Sequence, residues 1–194
     1  MTYRTLLFAK LSLLFVASTF TYQTRADLIG SQVTTTVRLP TINDIQSNTA
    51  TATVGPAIEY PDGTFTTLGP PFFVIPVDID LAASTITATY NANVVSAPGA
   101  FNGNVFDFTG LNTPIMAAVL DPSSSFTTNQ VGVGFSANEV TIKLPSLSIA
   151  NGNIIKVDLG FGPTASTVPE PSSLALLGSG ATALLGFYRK RRSA

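Results

Sequence analysis

Apolar and polar residues alternate with a period of two through the second half of the chain. Val131, Val133 and Phe135 share one side of the pattern, as do Val140, Ile142 and Leu144, and then Ile155, Val157, Leu159 and Phe161, with Lys156 and Asp158 opposite. An extended chain points successive side chains to opposite faces, so these segments read as strands buried on one face. Thr, Val, Ile and Phe are also abundant earlier, and Gly and Pro interrupt them at short intervals. Further strands are therefore predicted within residues 28–39, 49–54, 72–80, 85–95, 104–108 and 115–120. Turn chemistry predicts two hairpins, one around Pro61-Asp62-Gly63 (57–60 with 64–68) and one around Asn151-Gly152 (147–149 with 153–159). No long window carries a helical period. About nine short strands at this spacing predict an all-β domain, a two-sheet antiparallel sandwich of jelly-roll kind, with a barrel as the alternative.

Both ends of the chain break this pattern. Residues 1–26 have the layout of a secretory signal peptide: Arg4 and Lys10, an apolar stretch at 11–20, and Thr24-Arg25-Ala26 as a small-x-small cleavage site. At the other end Val168-Pro169-Glu170-Pro171-Ser172-Ser173 precedes an uncharged run at 174–188, which Arg189-Lys190-Arg191-Arg192 closes. Pro169 and Pro171 have no amide hydrogen and fixed φ, so residues 168–171 are a poor helix interior and a good extended protease substrate. Ser172 or Ser173 can cap a helix that starts after them. That helix spans only roughly 23 Å, against a hydrocarbon core of about 30 Å, so it is short for a permanent anchor. The four cations stop transfer and keep the C-terminus cytoplasmic by the positive-inside rule, leaving Glu170 outside. The layout is thus a signal peptide (1–26), a β-sandwich ectodomain (27–161), a linker (162–167) and a membrane-directed tail with a single transmembrane helix (168–194).

The proline-bracketed glutamate, single apolar segment and terminal basic cluster resemble the PEP-CTERM tail. The resemblance implies a bacterial sorting signal read by a membrane protease, an exosortase, with Val168, Pro169, Glu170 and Pro171 as the processing motif. It implies export through the secretion machinery and signal peptidase, transient residence in the inner membrane, then the cell surface or the extracellular matrix, where exopolysaccharide is a candidate partner. The middle is similar to an ectodomain that recurs in front of such tails, on residues 54–60 (Val-Gly-Pro-Ala-Ile-Glu-Tyr), Phe101-Asn102-Gly103 followed by Val105-Phe106, and residues 135–140 (Phe-Ser-Ala-Asn-Glu-Val). That likeness implies no characterised activity.

Composition narrows the chemistry. The whole chain has a net charge of −1, but this averages basic ends with an acidic middle. Between residues 27 and 167 only Arg38, Lys143 and Lys156 oppose ten acidic side chains, a balance of about −7. Nucleic acid is excluded as a partner, because neutralising phosphates takes clustered Lys and Arg. The chain has no His, Cys or Trp. Their absence removes Ser-His-Asp and Cys-His nucleophiles, thiolate or imidazole zinc sites and disulfide stapling. Carboxylate chemistry and hard cations remain.

Asp78-Ile79-Asp80 sets two carboxylates on one face of a strand, with Val77, Ile79 and Leu81 on the other. Such a pair can bind Ca²⁺ with backbone carbonyls, or serve as acid and base on a glycosidic bond; a solvated strand face is the plain reading. Glu59 is a third metal candidate, beside the Pro61-Asp62-Gly63 turn. Asp107, between Phe106 and Phe108, is expected to point away from those rings. Gly132 and Gly134 lack the following helix and Lys that a phosphate loop requires and read as strand. Only Tyr60 and Tyr90 remain in the middle as sugar platforms. The expectation is a non-enzymatic protein of structural or adhesive role without a resident cofactor, Ca²⁺ being the one candidate. The alternative is a carbohydrate-binding module that tethers exopolysaccharide.

Overall fold

The computed structural model describes residues 27–162. Among them are eleven strands and no helix: β1 (Gln32–Arg38), β2 (Ala50–Thr53), β3 (Val77–Leu81), β4 (Thr85–Tyr90), β5 (Val94–Val95), β6 (Gly103–Thr109), β7 (Ile115–Leu120), β8 (Gly132–Phe135), β9 (Glu139–Lys143), β10 (Ser148–Ile149) and β11 (Ile154–Phe161). They form a five-stranded sheet in the order β2-β1-β6-β9-β8, a four-stranded sheet in the order β3-β4-β11-β7, and the short pair β10-β5. Every pairing is antiparallel.

The two large sheets share one core, as the alternation requires. In the first, Val33 lies opposite Phe108 and Thr35 opposite Phe106, with Val140 next to Phe106 in the following strand. In the second, Ile79, Leu81, Ile86, Ala88, Tyr90, Ile155 and Val157 turn inward, and all join the same buried cluster as Phe106 and Phe108. Each large apolar side chain removed from water in this way contributes about 1.5–3 kcal/mol, and with no Cys in the chain burial has to do the stapling. The architecture is all-β and sandwich-like.

Local departures from the sequence pattern have physical causes. A strand over 72–80 starts only at Val77, directly after Pro76, which has no amide hydrogen to give a ladder. The 85–95 strand splits at Asn91-Ala92-Asn93 into β4 and β5. Neither predicted hairpin pairs its own flanks. The Pro61-Asp62-Gly63 turn forms, with Thr64 N donating to Pro61 O at 3.0 Å, but Tyr60 bridges Ile79 and Thr67 bridges Ser47. Asn151-Gly152 also turns, with Gly152 at φ 83°, yet β10 pairs with β5 while β11 joins β4 and β7. Ser96 explains that choice: its N donates to Leu147 O, its hydroxyl donates to Leu144 O, and Leu147 N donates back to that hydroxyl. Along 131–135 Val131 is buried but Phe135 is 48% exposed, because β8 is the outer strand of its sheet.

Both ends of the described stretch leave from one pole. Leu28 N donates to Ala83 O and Leu159 N to Ser84 O, so each end lies against the β3–β4 turn. The opposite pole gathers the end of β1, the start of β3, the end of β4 and the start of β6.

One glycine is sterically obligatory. A Cβ on Gly103 would run into the backbone carbonyl of Ile142 on the neighbouring β9. Gly103→Ala is expected to cost about 3 kcal/mol, the upper end for overpacking, seen as a lower urea midpoint with an unchanged denaturant slope.

Candidate functional site

The three metal-candidate carboxylates, Glu59, Asp78 and Asp80, fall along one strand edge. β3 is the outer strand of its sheet, and the segment from Gly55 to Asp62 lies along it. Tyr60 N donates to Ile79 O at 3.0 Å and Ile79 N to Tyr60 O at 2.8 Å. Glu59 reinforces this bridge: one carboxylate oxygen accepts from Gly55 N at 2.8 Å and the other from Leu81 N at 2.7 Å. Asp78 does the same further along, accepting from Asp62 N at 2.7 Å and from the Asn91 amide at 2.8 Å. The Asn91 amide, then Asp62 N, hold the Asp78 carboxyl below the usual carboxylate range. Asp80 stands half-buried on the same outward side of β3 as Asp78. Glu59 and Asp78 thus each accept two N–H hydrogen bonds, one on each oxygen. Among the described residues no group of three or more His, Cys, Asp or Glu side chains converges.

Tyr60 ties this edge to the other sheet. Its hydroxyl donates to Val33 O of β1 at 2.6 Å, its ring stacks tilted on Phe65 at 5.5 Å, and burial holds the phenol above its ordinary pKa. Tyr60 and Tyr90 are 1% and 2% exposed, so neither offers a sugar platform. Asp107 lies on the outer face of β6, with Arg38 3.8 Å away and Glu139 directly across the ladder. Burial, then the Asp107 charge, raise the Glu139 pKa. On the last strand Lys156 pairs with Asp121 at 2.8 Å. This contact, with Ser123 behind it, lowers the Asp121 pKa and raises that of Lys156. Gly132 and Gly134 lie in β8.

A feature missed from sequence lies at the pole opposite the chain ends. Between the sheets there is a cavity of about 450 Å³, walled by Phe72, Val74, Ile75, Val77 and Leu144 together with Tyr90 and Asn104. The Tyr90 hydroxyl and the Asn104 amide nitrogen are buried without a hydrogen-bond partner, and burial raises the Tyr90 pKa. One signal was available: Asn104 occupies an inward position in register with Phe106 and Phe108, a polar residue where the alternation calls for an apolar one.

The predicted signal peptide, the processing residues Val168, Pro169, Glu170 and Pro171, the 174–188 helix and the stop-transfer residues Arg189, Lys190, Arg191 and Arg192 lie outside the described residues. Among the described residues no helix is long and apolar enough to cross a membrane. The tail is identified by comparison. Residues 167–192 match the family model of the PEP-CTERM protein-sorting motif, so the chain carries that motif in its tail. The motif indicates an exported protein anchored transiently at the membrane and directed to exosortase processing. No curated protein and no solved structure matches the chain.

Two outcomes are expected at the β3 edge and in acid. Glu59→Gln keeps one acceptor but turns an NH₂ toward a second N–H, which should cost about 2 kcal/mol and speed hydrogen exchange at the Leu81 amide. Asp78 and Asp121 have pKa values lowered by folding, so the stability they add is present above the unfolded carboxylate value, about 3.9, and is lost as pH falls through their folded values. Thermal midpoints should drop below about pH 4, and less steeply in Asp78→Asn.

Proposed function

We propose that this chain is an exosortase substrate whose β-sandwich serves as a non-enzymatic structural or adhesive component of the cell surface or extracellular matrix. The observation that carries the reading is the sorting motif at 167–192. In this reading residues 174–188 insert in the membrane, Arg189 to Arg192 hold the C-terminus on the cytoplasmic side, and the protease cuts near the Pro169-Glu170-Pro171 segment. The catalytic groups belong to the exosortase. The ectodomain works without a cofactor, and its jelly-roll kinship is part of the proposal.

Three features of the domain support a passive role. The carboxylates best placed for chemistry hold backbone amides. Both tyrosines of the domain are buried. Both ends of the domain leave from one pole, so a tail held in the membrane turns the opposite pole outward. A carbohydrate-binding module dependent on Ca²⁺ has no specific contact in its favour, since fold likeness says little about function.

Mass spectrometry of the protein recovered outside the cell tests the proposal. The expected mature form begins after Ala26 and lacks the sequence beyond the 168–171 region. Replacing Pro169, Glu170 and Pro171 with Ala should leave the chain uncut in the membrane fraction. An extracellular protein ending at Ala194 overturns the processing claim.

A further inference from the structure

We propose that the cavity between the two sheets binds a neutral amphiphile, a molecule with an apolar chain or ring body and one uncharged oxygen, such as a long-chain alcohol, ketone or ester. Its volume of about 450 Å³ falls within the range of small-molecule sites, about 300–1,000 Å³. The wall is mainly apolar, from Phe72, Val74, Ile75, Val77 and Leu144, and includes no charged side chain. A carboxylate or ammonium would enter unpaired, at a cost that an apolar pocket does not return.

The choice of one oxygen comes from two buried groups. Tyr90 ends β4 of the four-stranded sheet and Asn104 lies near the start of β6 in the five-stranded sheet; both are buried and line the cavity. The Tyr90 hydroxyl and Asn104 amide nitrogen have no partner in the protein, although such burial costs about 1–3 kcal/mol per group. Both can donate, and a carbonyl or hydroxyl oxygen can accept from either. The rim fits the same ligand. Phe73 and Val95 border the cavity and are 82% and 71% exposed, more than a rim needing only to be covered by its own domain would leave open. The 72–76 stretch, which belongs to no strand, forms one wall. The site is independent of the sorting reading.

The test irradiates the full chain with decanol carrying a diazirine and maps the labelled peptides. Label is expected on residues 71–77 and 94–97, displaced by plain decanol and about tenfold less well by decane or decanoate. Tyr90→Phe and Asn104→Leu should each reduce labelling about three- to tenfold while the thermal midpoint stays level or rises, because each removes an unpaired buried group. Equal labelling at the exposed Met116 and Val119, or undiminished labelling in both variants, overturns the proposal. A lower midpoint in Tyr90→Phe overturns it too, by showing the hydroxyl already satisfied. Labelling that rises when residues 168–194 are deleted assigns the cavity to the chain's own tail instead.

Discussion

Tyr60 joins the two large sheets through one residue. Its backbone extends the four-stranded sheet by bridging Ile79, while its hydroxyl donates to Val33 O in the five-stranded sheet at 2.6 Å. One side chain thereby sets the spacing between the sheets at the side where β2 and β3 are outermost. The bond is buried, so it has no water to compete with, and breaking it would strand a carbonyl in the core. Phe65 packs on the ring and fixes its angle. An exported domain of this size often uses a disulfide for such a role, and this chain has no Cys.

The same segment resolves a second constraint. An outer strand presents unpaired N–H and C=O groups that invite pairing with another chain. Here Glu59 and Asp78 occupy donors on and beside β3, and the segment from Gly55 to Asp62 covers its edge. On the other side Ile115 N donates to Ala137 O, closing β7 against the β8–β9 turn. Carboxylates that look catalytic in a strand are thus also good edge guards: a charged group accepting backbone N–H bonds satisfies the donor and repels a second acidic copy.

Strand existence was legible wherever one face was buried and the other wet. Residues 139–143 and 154–161 alternate cleanly because β9 and β11 each have a core side and a solvent side. Pairing was not legible at the turns. Pro61-Asp62-Gly63 and Asn151-Gly152 dictate a local reversal, but the partner of each flank is decided by Ser96, Ser47 and Ile79, far away in sequence. Local turn chemistry carries no information about such contacts. The roles of Glu59 and Asp78 were hidden for the same reason, since their donors Leu81 and Asp62 are neighbours only in the fold. The tail was the reverse case: its chemistry is written contiguously, as prolines, an apolar run and cations, and needs no tertiary context to be read.

The order of strands carries a timing. β11 lies between β4 and β7, so the four-stranded sheet remains two separate pieces until residues 154–161 arrive. They are the last strand of the domain to be synthesised, ahead of the motif at 167–192. β4 and β7 therefore keep open edges until then, whereas the five-stranded sheet already has all its strands. The strand that joins the second sheet into one piece is thus also the one that lies next to the sorting motif in the chain.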